Sequence, residues 1–365
     1  MTHLSSIIHH LESFAPLAYQ ESYDNSGLVV GDPGDEITGA LLCVDVTMPV
    51  IEEAVKEGLN LIISHHPVIF SPLKQLTGKD TTQKIILEAV RNRIAIYCAH
   101  TNMDNVDEGV NRIICDKLGL INTAILQPQK NILYKLVTYV PLSHADALRN
   151  ALFEAGAGHI GNYDMCSFNA EGKGTFRAGE GADPYSGEIG RLHFEDEVRM
   201  ETIFPLHHKN AVVKALVKAH PYEEVAYDIY SLENSFNRVG SGMTGELAEP
   251  VSESVMLNRI KDTFKCTMVR HSRLLDKPVK KLAVCGGSGS FLIPAAIASG
   301  AQLFVTGEIK YHQFFEAEDK IVVADTGHYE SEQFTIEIFY EILKKNLPTF
   351  AVRFSRINTS PIYYL

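Results

Sequence analysis

Short apolar runs alternate along this chain with segments whose apolar positions recur at helical spacing. Residues 40–66 read ALLCVDV, TMPVIEEAVKEG and LNLIISHH, and residues 282–308 read LAVCGG, SGSFLIPAAIASG and AQLFVTGE. Each stretch predicts a buried strand, a helix closed by a glycine and a second buried strand. The two align without a gap, Cys43 on Cys285, Gly58 on Gly300 and Leu61 on Leu303. A third pair follows: Ile94 to Cys98 runs into AHTNMDN and DEGVNRIICDKLG, and Ile321 to Ala324 runs into DTGHYESE and FTIEIFYEILKKN. Any two α/β units share part of this pattern, but three matches in one order point to an internal duplication.

Alternating strands and helices predict an α/β fold whose strands run largely parallel. In such sheets ligands gather beyond the carboxyl ends of the strands. The polar residues found there are His65 and His66, the stretch from His100 to Asp104, Glu308, and the stretch from His328 to Glu332. One rule therefore gathers four clusters at one edge. The opening MTHLSSIIHHLESFAPL has no basic n-region and no long apolar core, and predicts a short amphipathic helix rather than a signal peptide.

From about residue 128 to 238 the pattern changes. NILYKLVTYVP predicts a strand, HADALRNALFEAGAG a helix, and YDMCSFNAEGKGTFRAGEG a strand entering a glycine-rich loop. GRLHFEDEVRMETIFP predicts a strand pair or one long strand, HKNAVVKALVKAH a helix, and EVAYDIYSL a last strand. The order β-α-β-β-α-β is that of a ferredoxin-like module, whose neighbouring ends suit an insertion. The predicted organisation is two duplicated α/β halves, residues 1–127 and 239–365, forming one metal-binding core, with an inserted ferredoxin-like domain over 128–238.

Composition narrows the class. The 365 residues are 45% hydrophobic and 21% charged, ordinary for a globular protein. A net charge of −12 without any basic run argues against a nucleic-acid partner held through its phosphates. No segment approaches the ~18 unbroken apolar residues of a membrane helix. The six cysteines stand singly, several inside apolar runs and none as C-x-x-C. Buried free thiols belong to a reducing compartment, so a cytoplasmic location is expected.

The clusters differ in what they can do. His65 and His66 end a buried strand, where Pro67 lets both imidazoles turn to one cavity. His207 and His208 precede a helix instead, and suit a turn or cap. His328 and Glu332 stand four apart where a helix begins, on one face; they either share metal ions or form a solvated first turn. Asp104 is either an Asx turn or N-cap, or, from its loop's equivalence to the one bearing His328, a ligand. Three imidazoles and two carboxylates suffice for two divalent ions if one carboxylate bridges, leaving a local charge of about +2. That suits an anion and an acidic water. Zn, Fe and Mn all accept such donors.

His100 is a candidate for orienting a ligand or binding an oxyanion. Glu308, in TGEIKYHQF, is a candidate for taking a proton from water, with Lys310 or His312 on substrate. Each equally suits a plain loop position. CGGSGS lacks the later glycine of G-x-G-x-x-G and the lysine of a P-loop, which excludes a nucleotide fingerprint.

YDNSGLVVG, LIISHHP, HTNMDN, VTGEIKYH and DTGHYESE, in this order, resemble the motif series of the Nif-three-like family, whose bacterial members carry the name GTP cyclohydrolase I type 2 homologue. The resemblance covers both outer segments. It implies a dinuclear site at His65, His66, Asp104, His328 and Glu332, two divalent ions per chain, and a toroidal homohexamer whose sites face an inner cavity. The middle segment, with GKGTFRAGEGADPYSG and HPYEEVAYDIY, resembles the insert of the family's long form, which is similar to nitrogen-regulatory PII-like and cation-tolerance proteins. Two functions follow as expectations. One is a metal-dependent hydrolase of a phosphorylated or nucleotide-like substrate, with Glu308 and His100 as catalytic residues. The other is a non-catalytic metal-binding regulator gated by the insert. Fold and metal set constrain the reaction class, not the substrate.

Overall fold

The computed structural model describes residues 2–365. The chain divides into two compact units, Met1–Pro128 with Asn237–Leu365, and Gln129–Phe236. In the first unit Ala40–Cys43, Leu61–Ser64 and Ala95–Cys98 run parallel, with Ala40, Leu61 and Ala95 in register and Cys43, Ser64 and Cys98 likewise. Every residue of the three strands is buried. Helix-covered parallel strands have no solvent face, which is why they read as unbroken apolar runs. Val352–Phe354 joins parallel beside Ala40–Cys43, and Gly27–Val30 antiparallel beside Ala95–Cys98, making five strands.

Helices Met48–Glu57 and Thr81–Arg91 supply the crossovers. Their Val50, Ile51, Ala54, Ile85 and Ala89 pack with Leu41, Ile62 and Ile96 in one apolar cluster. Gly58 ends the first helix at φ 68°, a left-handed value that glycine adopts without steric cost.

The second sheet of this unit has the order Arg270–His271, Val322–Asp325, Leu303–Gly307, Pro278–Ser288, Phe236–Ser252, Ile121–Gln129. Its central strands are parallel, with Leu282, Leu303 and Val322 in register. SGSFLIPAAIASG forms less helix than its pattern predicts: a 3₁₀ turn, Ser290–Leu292, then the short helix Ile293–Ala298. Pro294 lies in that helix's first turn, where no backbone N–H is missed.

The other unit is a four-stranded antiparallel sheet in the order Tyr227–Leu232, Leu133–Pro141, Leu192–Pro205, Phe168–Arg177. Helices Ala145–Glu154 and Lys209–Ala219 set Leu148, Leu152, Val212 and Leu216 against Leu136, Val198 and Phe204. GRLHFEDEVRMETIFP is one strand of 14 residues. Alternation along it sends Val198 and Met200 to the helices, and Glu197 and Arg199 to the opposite face. Along the chain the elements run strand, helix, strand, strand, helix, strand.

Among the described residues no helix is long and apolar enough to cross a membrane. All six cysteines are free, and all but Cys166 are buried.

Candidate metal centre

Beyond Leu61–Ser64 the parallel ladder continues for two residues, His65 N–H donating to Cys43 O at 3.2 Å and His66 N–H to Val44 O at 2.9 Å. Both histidines are thus fixed at the carboxyl edge of the sheet. His65 is fully buried, and its Nδ1–H donates to Ala99 O at 2.9 Å, which leaves Nε2 as a bare lone pair. His66 donates from Nδ1 to Asp45 Oδ1 at 2.7 Å and meets Glu332 Oε2 with Nε2 at 2.9 Å.

The one-turn helix His328–Glu332 follows strand Val322–Asp325 of the other sheet. His328 Nε2 lies 3.0 Å from Glu332 Oε2 and 3.1 Å from His66 Nε2. Glu332 therefore faces two ways. Its Oε2 meets His66 and His328, while its Oε1 lies 3.6 Å from His65 Nε2, itself 3.6 Å from Asp104 Oδ1. The donor atoms of His66, His328 and Glu332 lie within 4.8 Å of one another, as do those of His65, Asp104 and Glu332, and of His65, His66 and His100.

CGGSGS has a use that its sequence does not announce. Gly287 sits at φ 62°, and a Cβ there would stand 2.2 Å from Glu332 Oε1. Its N–H donates to Ser331 Oγ at 2.9 Å. The glycines that mimic a phosphate loop make room for a carboxylate.

The donor set fits a metal. His65 Nε2 and Asp104 Oδ1 are buried without a hydrogen-bond partner among the described residues. Each unmet polar atom of this kind costs about 1–3 kcal/mol. The Nε2 atoms of His66 and His328 also face each other at 3.1 Å, and the carboxylates around them favour positive charge there. Burial pulls His66 down, but Asp45 and Glu332 outweigh it and push the imidazole up to about 10. His328 rises to about 9 against burial, chiefly through Glu332. Burial lowers His65. Burial and the charge of Glu332 hold Asp104 well above the usual carboxylate range. Burial alone would raise Glu332, yet His65, His328 and His66 keep it well below that range. Divalent cations would supply that positive charge, on lone pairs that already converge.

The cluster opens on a cleft of about 630 Å³. Tyr23, Phe70 and Phe291 line it, each more than half exposed, and among the described residues no lysine or arginine does.

The structure brings His65, His66, Asp104, His328 and Glu332 together, with the His100 ring 5.3 Å from those of His65 and His66. His100 Nδ1 donates to Asp24 Oδ1 at 2.8 Å. Asp104 caps no helix: it lies within the one-turn helix Thr101–Asn105, and Gly109 precedes Val110–Lys117. Glu308 lies behind His328, its half-exposed carboxylate 3.2 Å from Nδ1, and is not among the residues lining the cleft. Lys310 and His312 do not line it either. His207 and His208 belong to the other unit, ahead of helix Lys209–Ala219.

Two partners escaped the sequence. Asp45 follows strand Ala40–Cys43, so the strand-end rule would have reached it. Asp24, in YDNSG, precedes any predicted strand, and no local signal links it to His100.

The sequence profile of the Duf34/NIF3 (NGG1p interacting factor 3) family matches residues 2–361. The chain belongs to this family. It is 37% identical over 365 residues to the GTP cyclohydrolase 1 type 2 homolog of Halalkalibacterium halodurans, covering 99% of this chain and 98% of that one. It is 40% identical over 325 residues to the Bacillus subtilis protein of the same name, covering 88% and 87%. Among solved structures, a Bacillus cereus protein related to NIF3 matches with a TM-score of 0.85 at 37% identity, covering 100% and 99%.

Proposed function

We propose that the chain holds two divalent ions and is a metal-dependent hydrolase of a phosphorylated or nucleotide-like substrate. The observation that carries this reading is Glu332, one carboxylate set between His66 with His328 on Oε2 and His65 with Asp104 on Oε1. Zn, Fe or Mn would be held by these five residues, supplying Lewis acidity and a nucleophilic water at neutral pH. The remaining roles fall to the chain. Asp45 and the Ala99 carbonyl fix the tautomers of His66 and His65. Glu308, half exposed beside His328 Nδ1, orients that ring and is the base that the chain offers to a nearby water. His100, held by Asp24, meets a substrate oxyanion. Tyr23, Phe70 and Phe291 offer aromatic faces to a planar ring. The relatives' name makes GTP the first substrate to test.

The same proposal includes the architecture. The two halves, 1–127 and 239–365, are duplicates: Ala40 pairs with Leu61 as Leu282 pairs with Leu303, the positions that the ungapped alignment equates. Residues 128–238 form a ferredoxin-like, PII-like insert, supported by its element order and antiparallel sheet. The toroidal homohexamer and the cytoplasmic location complete it.

Metal analysis should return about two ions per chain, and Glu308→Gln should keep them while losing roughly 100-fold in hydrolysis of GTP or simpler phosphoesters. Metal-loaded protein without turnover would favour the alternative, a metal-binding regulator gated by its insert. That second reading draws on one observation, a large cavity within the second unit.

A further inference from the structure

GKGTFRAGEGADPYSG and HPYEEVAYDIY stand out in the sequence, and the metal centre uses neither. Both contribute to one cavity of about 720 Å³ in the second unit. Phe176, Tyr185 and Tyr222 line it, the Tyr222 ring lying 6.0 Å from Phe176 and 6.1 Å from Tyr185. Glu197 lines it too, from the sheet face turned away from the helices, and is 8% exposed.

The partner of this carboxylate is neutral: the Tyr222 hydroxyl donates to Oε1 at 2.8 Å. His220, beside Tyr222, brings no charge. Its Nδ1 accepts the Tyr222 backbone N–H at 3.1 Å and its Nε2–H donates to Tyr139 O at 2.9 Å, so the neutral ring uses both nitrogens. Of the lining cations, Lys173 pairs with Asp196 and Arg199 with Glu201, and only Arg177 has no ion pair among the described residues. Gly174 leaves the space that the second oxygen occupies, since a Cβ there would stand 2.1 Å from Glu197 Oε2.

A carboxylate so buried calls for a counter-charge. Aromatic faces attract the same sign, and the volume is that of a small-molecule site. We propose that this cavity binds a protonated organic amine, with its ammonium group on Glu197 and its apolar body against Phe176, Tyr185 and Tyr222. With Glu197, the carboxylates of Glu171, Glu223 and Glu224 outnumber the lining cations Lys173, Arg177 and Arg199 by one, and two of those cations are already paired with Asp196 and Glu201.

The test is calorimetric titration of the full chain with benzylamine, tyramine and putrescine, beside benzyl alcohol and guanosine monophosphate. At least one amine should bind saturably, one per chain, and Glu197→Gln should weaken it by about tenfold or more. Without ligand, Glu197→Gln should melt no lower than wild type, because the amide keeps the Tyr222 hydrogen bond and removes a buried charge. Should that variant fail to fold, Gly174→Ala, which pushes on Oε2, must weaken binding instead. Three results overturn the proposal: no saturable amine binding, binding that both variants leave unchanged, or binding of the alcohol or the nucleotide in place of the amines.

Discussion

His66 belongs to two of the three donor groups, and Asp45 decides how its ring is presented. With Nδ1–H held by Asp45 at 2.7 Å, Nε2 is left for Glu332 or an ion. Asp45→Ala should therefore lower metal affinity by roughly 10–100-fold, the usual size of an orienting contact, measured by chelator competition. His66→Ala, Asp104→Ala and Glu332→Ala should lower the metal content itself, and full occupancy in all three would end the assignment. His207 offers a separate test of acid stability. Burial, with His208 adding to it, lowers its pKa from an ordinary 6.5 to about 4. Between those values the unfolded chain binds a proton that the folded unit refuses, so stability rises with pH across the window and is lost as pH falls from 6.5 toward 4. Melting temperatures of His207→Gln should show a flatter acid limb than wild type between pH 4 and 6.5. An unchanged slope would mean that other groups govern it.

The elements carrying the donors are short and sit at strand ends. His65 and His66 follow Leu61–Ser64, Asp104 lies just past Ala95–Cys98, and His328 and Glu332 lie just past Val322–Asp325. The strands were legible because burial on both faces forces unbroken apolar runs, and the edge that gathers ligands follows from parallel topology. The one-turn helix around Asp104 was not legible, because TNMDN is far too short to nucleate alone and forms only in tertiary context. Nor was the purpose of CGGSGS, since Gly287 answers to Glu332, a contact distant in sequence. That contact can be tested. Gly287→Ala places a methyl 2.2 Å from Glu332 Oε1 at φ 62°, so metal content should fall while circular dichroism stays native. Gly300→Ala is the control. At φ 77° with open space around it, it carries a similar backbone cost of about 1 kcal/mol and should keep its metal. Equal metal loss in both variants would assign the effect to general destabilisation.

At the scale of the whole molecule, each unit has its own apolar core. Ile62 and Phe304 belong to clusters of the first unit, and Leu148 and Phe204 to that of the second. The change of pattern near residues 128 and 238 was readable because an antiparallel sheet covered on one face alternates, whereas the parallel strands do not. Neighbouring ends were expected of an inserted module, but the strand pairing that brings them together was not readable. Strand Ile121–Gln129 lies beside Phe236–Ser252, and a Cβ on Gly240 would stand 2.2 Å from Gln127 O. The chain thus leaves the first unit and re-enters it at neighbouring positions, and a linker of a few glycines and serines can close the gap. Residues 1–128 so joined to 237–365 should remain soluble and bind as much metal per chain as the intact protein, because every donor and every partner that orients one lies in that unit. Residues 129–236 alone should melt cooperatively, since Leu136, Leu148, Leu152, Phe204 and Leu216 are buried among themselves. Elemental analysis of the first protein and calorimetry of the second check this. Metal loss from the joined protein, despite a native circular dichroism spectrum, would mean that the centre also needs residues 129–236.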